Sequence, residues 1–134
     1  MALRILLRVA AVYMALVGLG LILFPRQFGS GAVPPDASPA LIAFLRLWGS
    51  PLLGIAALNW ISREAEPSTA FRGVVYGNII GFGVIAAVDL WSMFSGGRAL
   101  HAVFLVVHIL FTLAFVWAGR KSLGGAPDKA SPAF

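Results

Sequence analysis

The side chains with the most chemistry in this chain stand inside its apolar segments. Arg46, Asp89, His101 and His108 are the ionisable ones, with Asn78, Ser50, Ser92 and Thr112 in the same segments. A guanidinium, a carboxylate and imidazoles kept from water have two uses. They neutralise one another as a structural clasp, or they line a polar pocket that binds a head group or small anion, or relays protons. Asp89 is the only one of five acidic residues within an apolar segment, so paired-carboxylate catalysis is excluded. Ser50 and Ser92 are nucleophiles by residue type alone, with no nucleophile elbow or phosphate-cradling glycine loop around them.

Spacing argues against metal and haem. His101 and His108 are seven residues apart, which sets their rings about two turns, or about 10 Å, along one helix. A zinc site on one helix uses three or four residues of separation, and a bis-histidine haem needs rings on facing helices. Cysteine is absent, which removes disulfides, thiolate ligands and thiol nucleophiles. No metal or cofactor is expected; a quinone or a lipid is the ligand class that a polar pocket of this kind would take.

The elements that must position these groups are membrane spans. The chain has 134 residues, 60% hydrophobic and 11% charged, with a mean hydropathy of +0.92. Soluble domains carry about 25% charged residues, so this composition cannot cover a water-facing surface. At roughly 20 residues per crossing, the length holds four spans and little else. They are placed at about 3–24, 40–61, 71–94 and 99–119, in one transmembrane domain with a mobile tail over 120–134. The expected fold is all-α, a four-helix bundle in the membrane. The first segment is long for a signal peptide, although Arg4, Arg8 and Ser30-Gly31-Ala32 mimic one. Pro25 closes that segment, Gly and Pro interrupt 26–39, and Ser68 or Thr69 caps the third span.

Charge gives a direction. Arg4, Arg8, Arg63, Arg72, Arg120, Lys121 and Lys129 fall on one side, and Arg26, Arg46 and Arg98 on the other. The excess of basic residues marks the cytoplasmic side, which puts both termini there. Trp48 and Trp91 then lie toward the outer interface, and Trp60 and Trp117 toward the inner one. The net charge of +5 is spent on topology, with no aromatic-interleaved basic patch for nucleic acid.

On a helical projection each span gathers its polar groups on one stripe. Arg46, Ser50, Gly54 and Ala57 share a sector of about 80°, Asn78 and Asp89 differ by about 20°, and His101, His108 and Thr112 by about 40°. Such stripes face inward, because a charge facing lipid costs several kcal/mol. Depth brings Arg46, Asp89 and one or both histidines together in the outer half, and an Arg46–Asp89–His101 clasp is expected. The first span offers only Tyr13 at mid-depth. Gly73, Gly77 and Gly81 form a small-residue stripe in the third span, matched by Ser50 and Gly54 in the second. Such stripes let helices approach closely, within this chain or between copies. Pro51 removes the hydrogen bond to the Leu47 carbonyl near Arg46.

Two stretches carry a family resemblance. Leu16 to Pro25 reads Leu-Val-Gly-Leu-Gly-Leu-Ile-Leu-Phe-Pro, and Arg46 is followed by Trp48-Gly49-Ser50-Pro51-Leu52-Leu53-Gly54. With the four-span layout, these resemble the DoxX-like group of small bacterial membrane proteins. The resemblance implies a four-helix bundle in a bacterial inner membrane. Roles in that group vary, some being linked to quinone oxidation, and it carries no catalytic residue over to this chain. A packing-rich, chemistry-poor sequence favours a non-enzymatic accessory subunit or binding protein, as a homo-oligomer or within a larger membrane assembly. The alternatives are a proton-coupled carrier using Asp89 with Arg46 or His108, and a membrane enzyme or redox partner with a quinone-like ligand near the histidines.

Overall fold

The computed structural model describes residues 1–28, 33–96 and 100–123. Among them all regular structure is helical: α1 (Ala2–Leu23), α2 (Pro25–Phe28), α3 (Pro39–Ser62), α4 (Thr69–Phe94) and α5 (Leu100–Leu123). Ser30-Gly31-Ala32, Arg98, Lys129 and the tail from 124 onward lie outside the described residues.

Local chemistry sets the helix ends. The Ser38 hydroxyl accepts from the Leu41 N–H at 3.2 Å, with Pro39 in the first turn where its missing N–H costs nothing. Ser68, rather than Thr69, caps α4 by accepting from the Phe71 N–H at 3.1 Å. Pro25 does end α1, but it also opens α2, so the connection expected to be irregular begins with a helical turn. Arg26 holds that connection by donating to the carbonyls of Pro35 and Ala37 at 2.8 and 3.2 Å. α3 runs on through Pro51. Gly96 turns the chain after α4 with φ of 81°, a conformation that suits glycine.

The four long helices span 22 to 26 residues. At 1.5 Å per residue each exceeds the roughly 30 Å of a bilayer core. All four are long and apolar enough to cross a membrane. Their outward faces are apolar, with Leu16, Ile61, Val84 and Leu110 exposed. Charges collect at the ends.

The helices pack chiefly as two antiparallel pairs, α1 with α3 and α4 with α5, joined mainly where α1 meets α5. The two pairs are built differently. Between α1 and α3 the backbones nearly touch: a Cβ on Gly18 would lie 2.8 Å from the Gly49 carbonyl oxygen. Between α4 and α5 aromatic rings fill the space, with Phe82 stacked on Phe111 at 4.4 Å and on Phe115 at 6.0 Å. Leu7, Val75, Phe82 and Phe115 form the fully buried centre.

The expected packing stripes do not make these approaches. A Cβ at Gly54, Gly73, Gly77 or Gly81 would meet nothing within 4 Å, and Ser50 is exposed. The close approach is carried by Gly18 and Gly49 instead. Four-residue spacing identifies a face where a helix fits, not whether this chain supplies one.

Candidate functional site

Two polar clusters are buried between the helices. Nearer the end that carries the N-terminus, Asn59 of α3 and Asn78 of α4 exchange amide hydrogen bonds at 2.9 and 2.6 Å. Asn78 also donates to the Val74 carbonyl at 2.8 Å. These amides satisfy each other and do not titrate.

The second cluster lies toward the α2 end. His108 Nδ1 is 2.6 Å from Asp89 Oδ2, and its Nε2 is 2.8 Å from the Tyr13 hydroxyl. Three helices thus contribute one link each, α4, α5 and α1. With Asp89 as a carboxylate, His108 is the Nδ1–H tautomer and donates to it. The bare Nε2 then accepts from Tyr13. Asp89 and His108 are both buried, and the imidazole is fixed by rings on either side. Phe104 stacks at 6.1 Å and Phe82 lies at 6.0 Å. The helical position of His108 is reinforced where Thr112 donates to its carbonyl at 2.8 Å. Such a phenol–imidazole–carboxylate chain holds a ring nitrogen in a set tautomer and provides a path for a proton along three groups.

The chain does not close on itself. Tyr13, Asp89 and His108 border a partly open cavity of about 230 Å³, together with His101 and Phe104. Phe28 of α2 forms another part of the wall, seated where a Cβ on Gly20 would collide with its ring. His101 Nδ1 is buried and has no hydrogen-bond partner among the described residues. An unpaired buried nitrogen is costly, on the order of 1–3 kcal/mol, and few survive in folded proteins without a ligand or water to pair them.

The geometry brings together three of the four expected site residues, Asp89, His101 and His108. Arg46 is not among them. It is exposed on α3 and forms no ion pair among the described residues, where Asp89 pairs with His108 instead. The Arg46–Asp89–His101 clasp is therefore corrected to Tyr13–His108–Asp89, with His101 lining the same cavity. Arg46 stands about two turns into α3 with its side chain exposed rather than buried. Tyr13 and Asn59 were the missed members. Each is a lone polar group in an otherwise apolar stretch of its helix, and that was the available signal. Ser50 is exposed and Ser92 donates to its own helix at the Val88 carbonyl, so neither is a placed nucleophile. Among the described residues no three His, Asp or Glu side chains converge as a metal site.

The chain matches no protein-family model, no curated protein and no solved structure.

Proposed function

We propose that this is a small membrane-embedded binding protein whose α2-end cavity takes an apolar molecule with a carbonyl or hydroxyl head, of the quinone class. The observation that carries this reading is that His101, whose Nδ1 is buried without a hydrogen-bond partner among the described residues, lines the same cavity as the Tyr13–His108–Asp89 chain. A ligand oxygen would pair His101. Tyr13 and Asp89, which line the same cavity, would offer a hydroxyl and a carboxylate to the head group. The cavity wall is otherwise apolar, from Met14, Val17, Leu52 and Ile85, and suits a ring or chain arriving from lipid.

In this reading the four helices cross a bacterial inner membrane as a bundle with both termini cytoplasmic. Basic and aromatic side chains support that orientation at the terminal end. Arg63 lies over the Trp60 ring at 4.3 Å and Lys121 over Trp117 at 5.4 Å, as interfacial anchors do. The resemblance to the DoxX-like group belongs to the same proposal.

Organic extraction of the protein purified in mild detergent, followed by an absorption spectrum, tests the ligand class. The expected result is a carbonyl-bearing lipid in stoichiometric amount, and saturable binding of a short-chain benzoquinone by the extracted protein. An empty extract with no benzoquinone binding would sink the reading.

A second reading, an accessory subunit or homo-oligomer, is favoured by the glycine face of α4. Gly73 and Gly77 line an open groove of about 420 Å³ beside α3 that no helix of this chain fills. Native mass spectrometry separates the readings: a strict monomer with bound ligand supports the first alone. A proton-coupled carrier would use Asp89 as well, but its second expected partner, Arg46, stands apart from the cavity.

A further inference from the structure

A second cavity lies at the opposite end from His101. It is about 510 Å³, set between the start of α4 and the end of α5, and Arg72 and Arg120 both line it. Among the described residues no acidic side chain is in its wall. At the same end Glu64 receives Arg8 and Arg63, each at 3.4 Å. Among the described residues neither Arg72 nor Arg120 forms an ion pair. Two arginines thus line one cavity with no counter-charge among the described residues of its wall. Like charges that converge without an acid are repulsive unless an anion joins them.

The rest of the wall says what kind of anion. Beyond the arginines it continues along the helices as Val75, Ile79 and Val116, all apolar, with the exposed Tyr76 at its rim. Gly119 narrows the α4–α5 gap beneath, its absent Cβ standing 3.1 Å from Val75. A free inorganic anion has no use for that apolar wall. A phospholipid does, since its phosphodiester sits at the interface and its acyl chains run inward. Trp117 and Lys121, on the neighbouring turn, place Arg120 at the depth where head groups lie. Arginine suits the task because its planar fork gives a phosphate two parallel hydrogen bonds, and basic pockets between membrane helices are known head-group sites.

We propose that the Arg72–Arg120 cavity is a binding site for one anionic phospholipid, the two guanidiniums holding its phosphodiester and Val75, Ile79 and Val116 its chains. The site rests on the helices crossing a membrane and not on the occupant of the α2-end cavity. Its failure would leave the quinone-class reading standing.

The test is native mass spectrometry of the full chain in mild detergent, given equal amounts of phosphatidylglycerol and phosphatidylcholine. Phosphatidylglycerol should be retained in preference, and Arg72→Gln with Arg120→Gln should reduce its retention about tenfold, or about 1.4 kcal/mol. Arg120→Gln alone, a change at an exposed residue that does not threaten folding, should give a smaller loss in the same direction. Arg4→Gln removes an equal charge at the same end outside the cavity, and retention should be unchanged. Equal retention of the two lipids, or undiminished retention by the arginine variants, would overturn the proposal. So would an equal loss in Arg4→Gln, which means diffuse charge attraction. Displacement of the lipid by millimolar inorganic phosphate would identify a free-anion site and overturn the lipid assignment.

Discussion

Asn78 and Asp89 lie on nearly the same face of α4, yet they end in different kinds of cluster. Asn78 meets Asn59 across the α3 contact, and the two amides exchange hydrogen bonds. Asp89 meets His108 across the α5 contact, and the line of hydrogen bonds goes on to Tyr13 and borders a cavity. The amides of the first cluster satisfy each other and cannot change their proton content. The groups of the second can hold their protons in more than one arrangement, and His101, whose Nδ1 is buried without a partner among the described residues, lines the same cavity. Both clusters border open space, since Asn59 and Asn78 line the groove of about 420 Å³ between α3 and α4. Only the second joins that space to a proton-carrying chain and an unpaired nitrogen, and that contrast separates a fastening from a site.

The largest effect should come from opening the second cluster. Asp89→Ala removes the acceptor from a buried imidazole, and should cost about 3 kcal/mol of stability. Unfolding in mixed micelles, followed by circular dichroism, reads the loss. Replacing Asn78 by Leu orphans one amide and should cost about 2 kcal/mol. The decisive comparison is the double replacement at each cluster. Asn59→Leu with Asn78→Leu should return most of the stability, because an apolar pair replaces a closed polar one and interhelical polar contacts average about 0.6 kcal/mol. It should leave benzoquinone binding intact. If the double asparagine variant loses ligand binding, the contrast between the clusters fails.

Tyr13→Phe should have a smaller effect on stability, about 1 kcal/mol, the value of one neutral hydrogen bond. The ring contacts with Phe82 and Phe111 remain. Its effect on ligand should be larger than on stability if the phenol serves the cavity. A fall in affinity with no change in unfolding would sharpen the distinction between the two clusters; parallel falls would blur it.

The extent of the helices was legible because hydropathy over twenty residues is a solvent requirement, insensitive to detail. The stripes were legible too: Asn78, Asp89, His108 and the border of the His101 side all turn inward, as a charge in lipid must. What projection cannot supply is the partner. Asn78 and Asp89 share an angle but meet different helices, α3 and α5. Arg46 was assigned to Asp89 on charge and depth, yet α3 packs on α1 and meets α4 sparsely, and Asp89 bonds to His108 of α5 instead. The glycine stripes of α3 and α4 likewise meet no helix of the described chain. Gly18 and Gly49 are single small residues with no periodic signal, and they matter because two backbones cross there.

His101 gives the smallest change in stability and the sharpest test. Its Nδ1 is buried without a partner among the described residues, so the side chain contributes a penalty to the folded state rather than a bond. His101→Leu keeps the bulk and removes the unpaired nitrogen, and should be neutral or raise stability by up to about 1 kcal/mol. The same change should weaken benzoquinone binding about tenfold, since one charge-neutral hydrogen bond of roughly 1.4 kcal/mol is lost from the complex. Opposite signs for stability and affinity at one residue are the signature of a group kept for a ligand. A His101→Leu protein that is both less stable and equally able to bind would mean that His101 fastens the helices as Asn59 and Asn78 do, and the two regions would be of one kind.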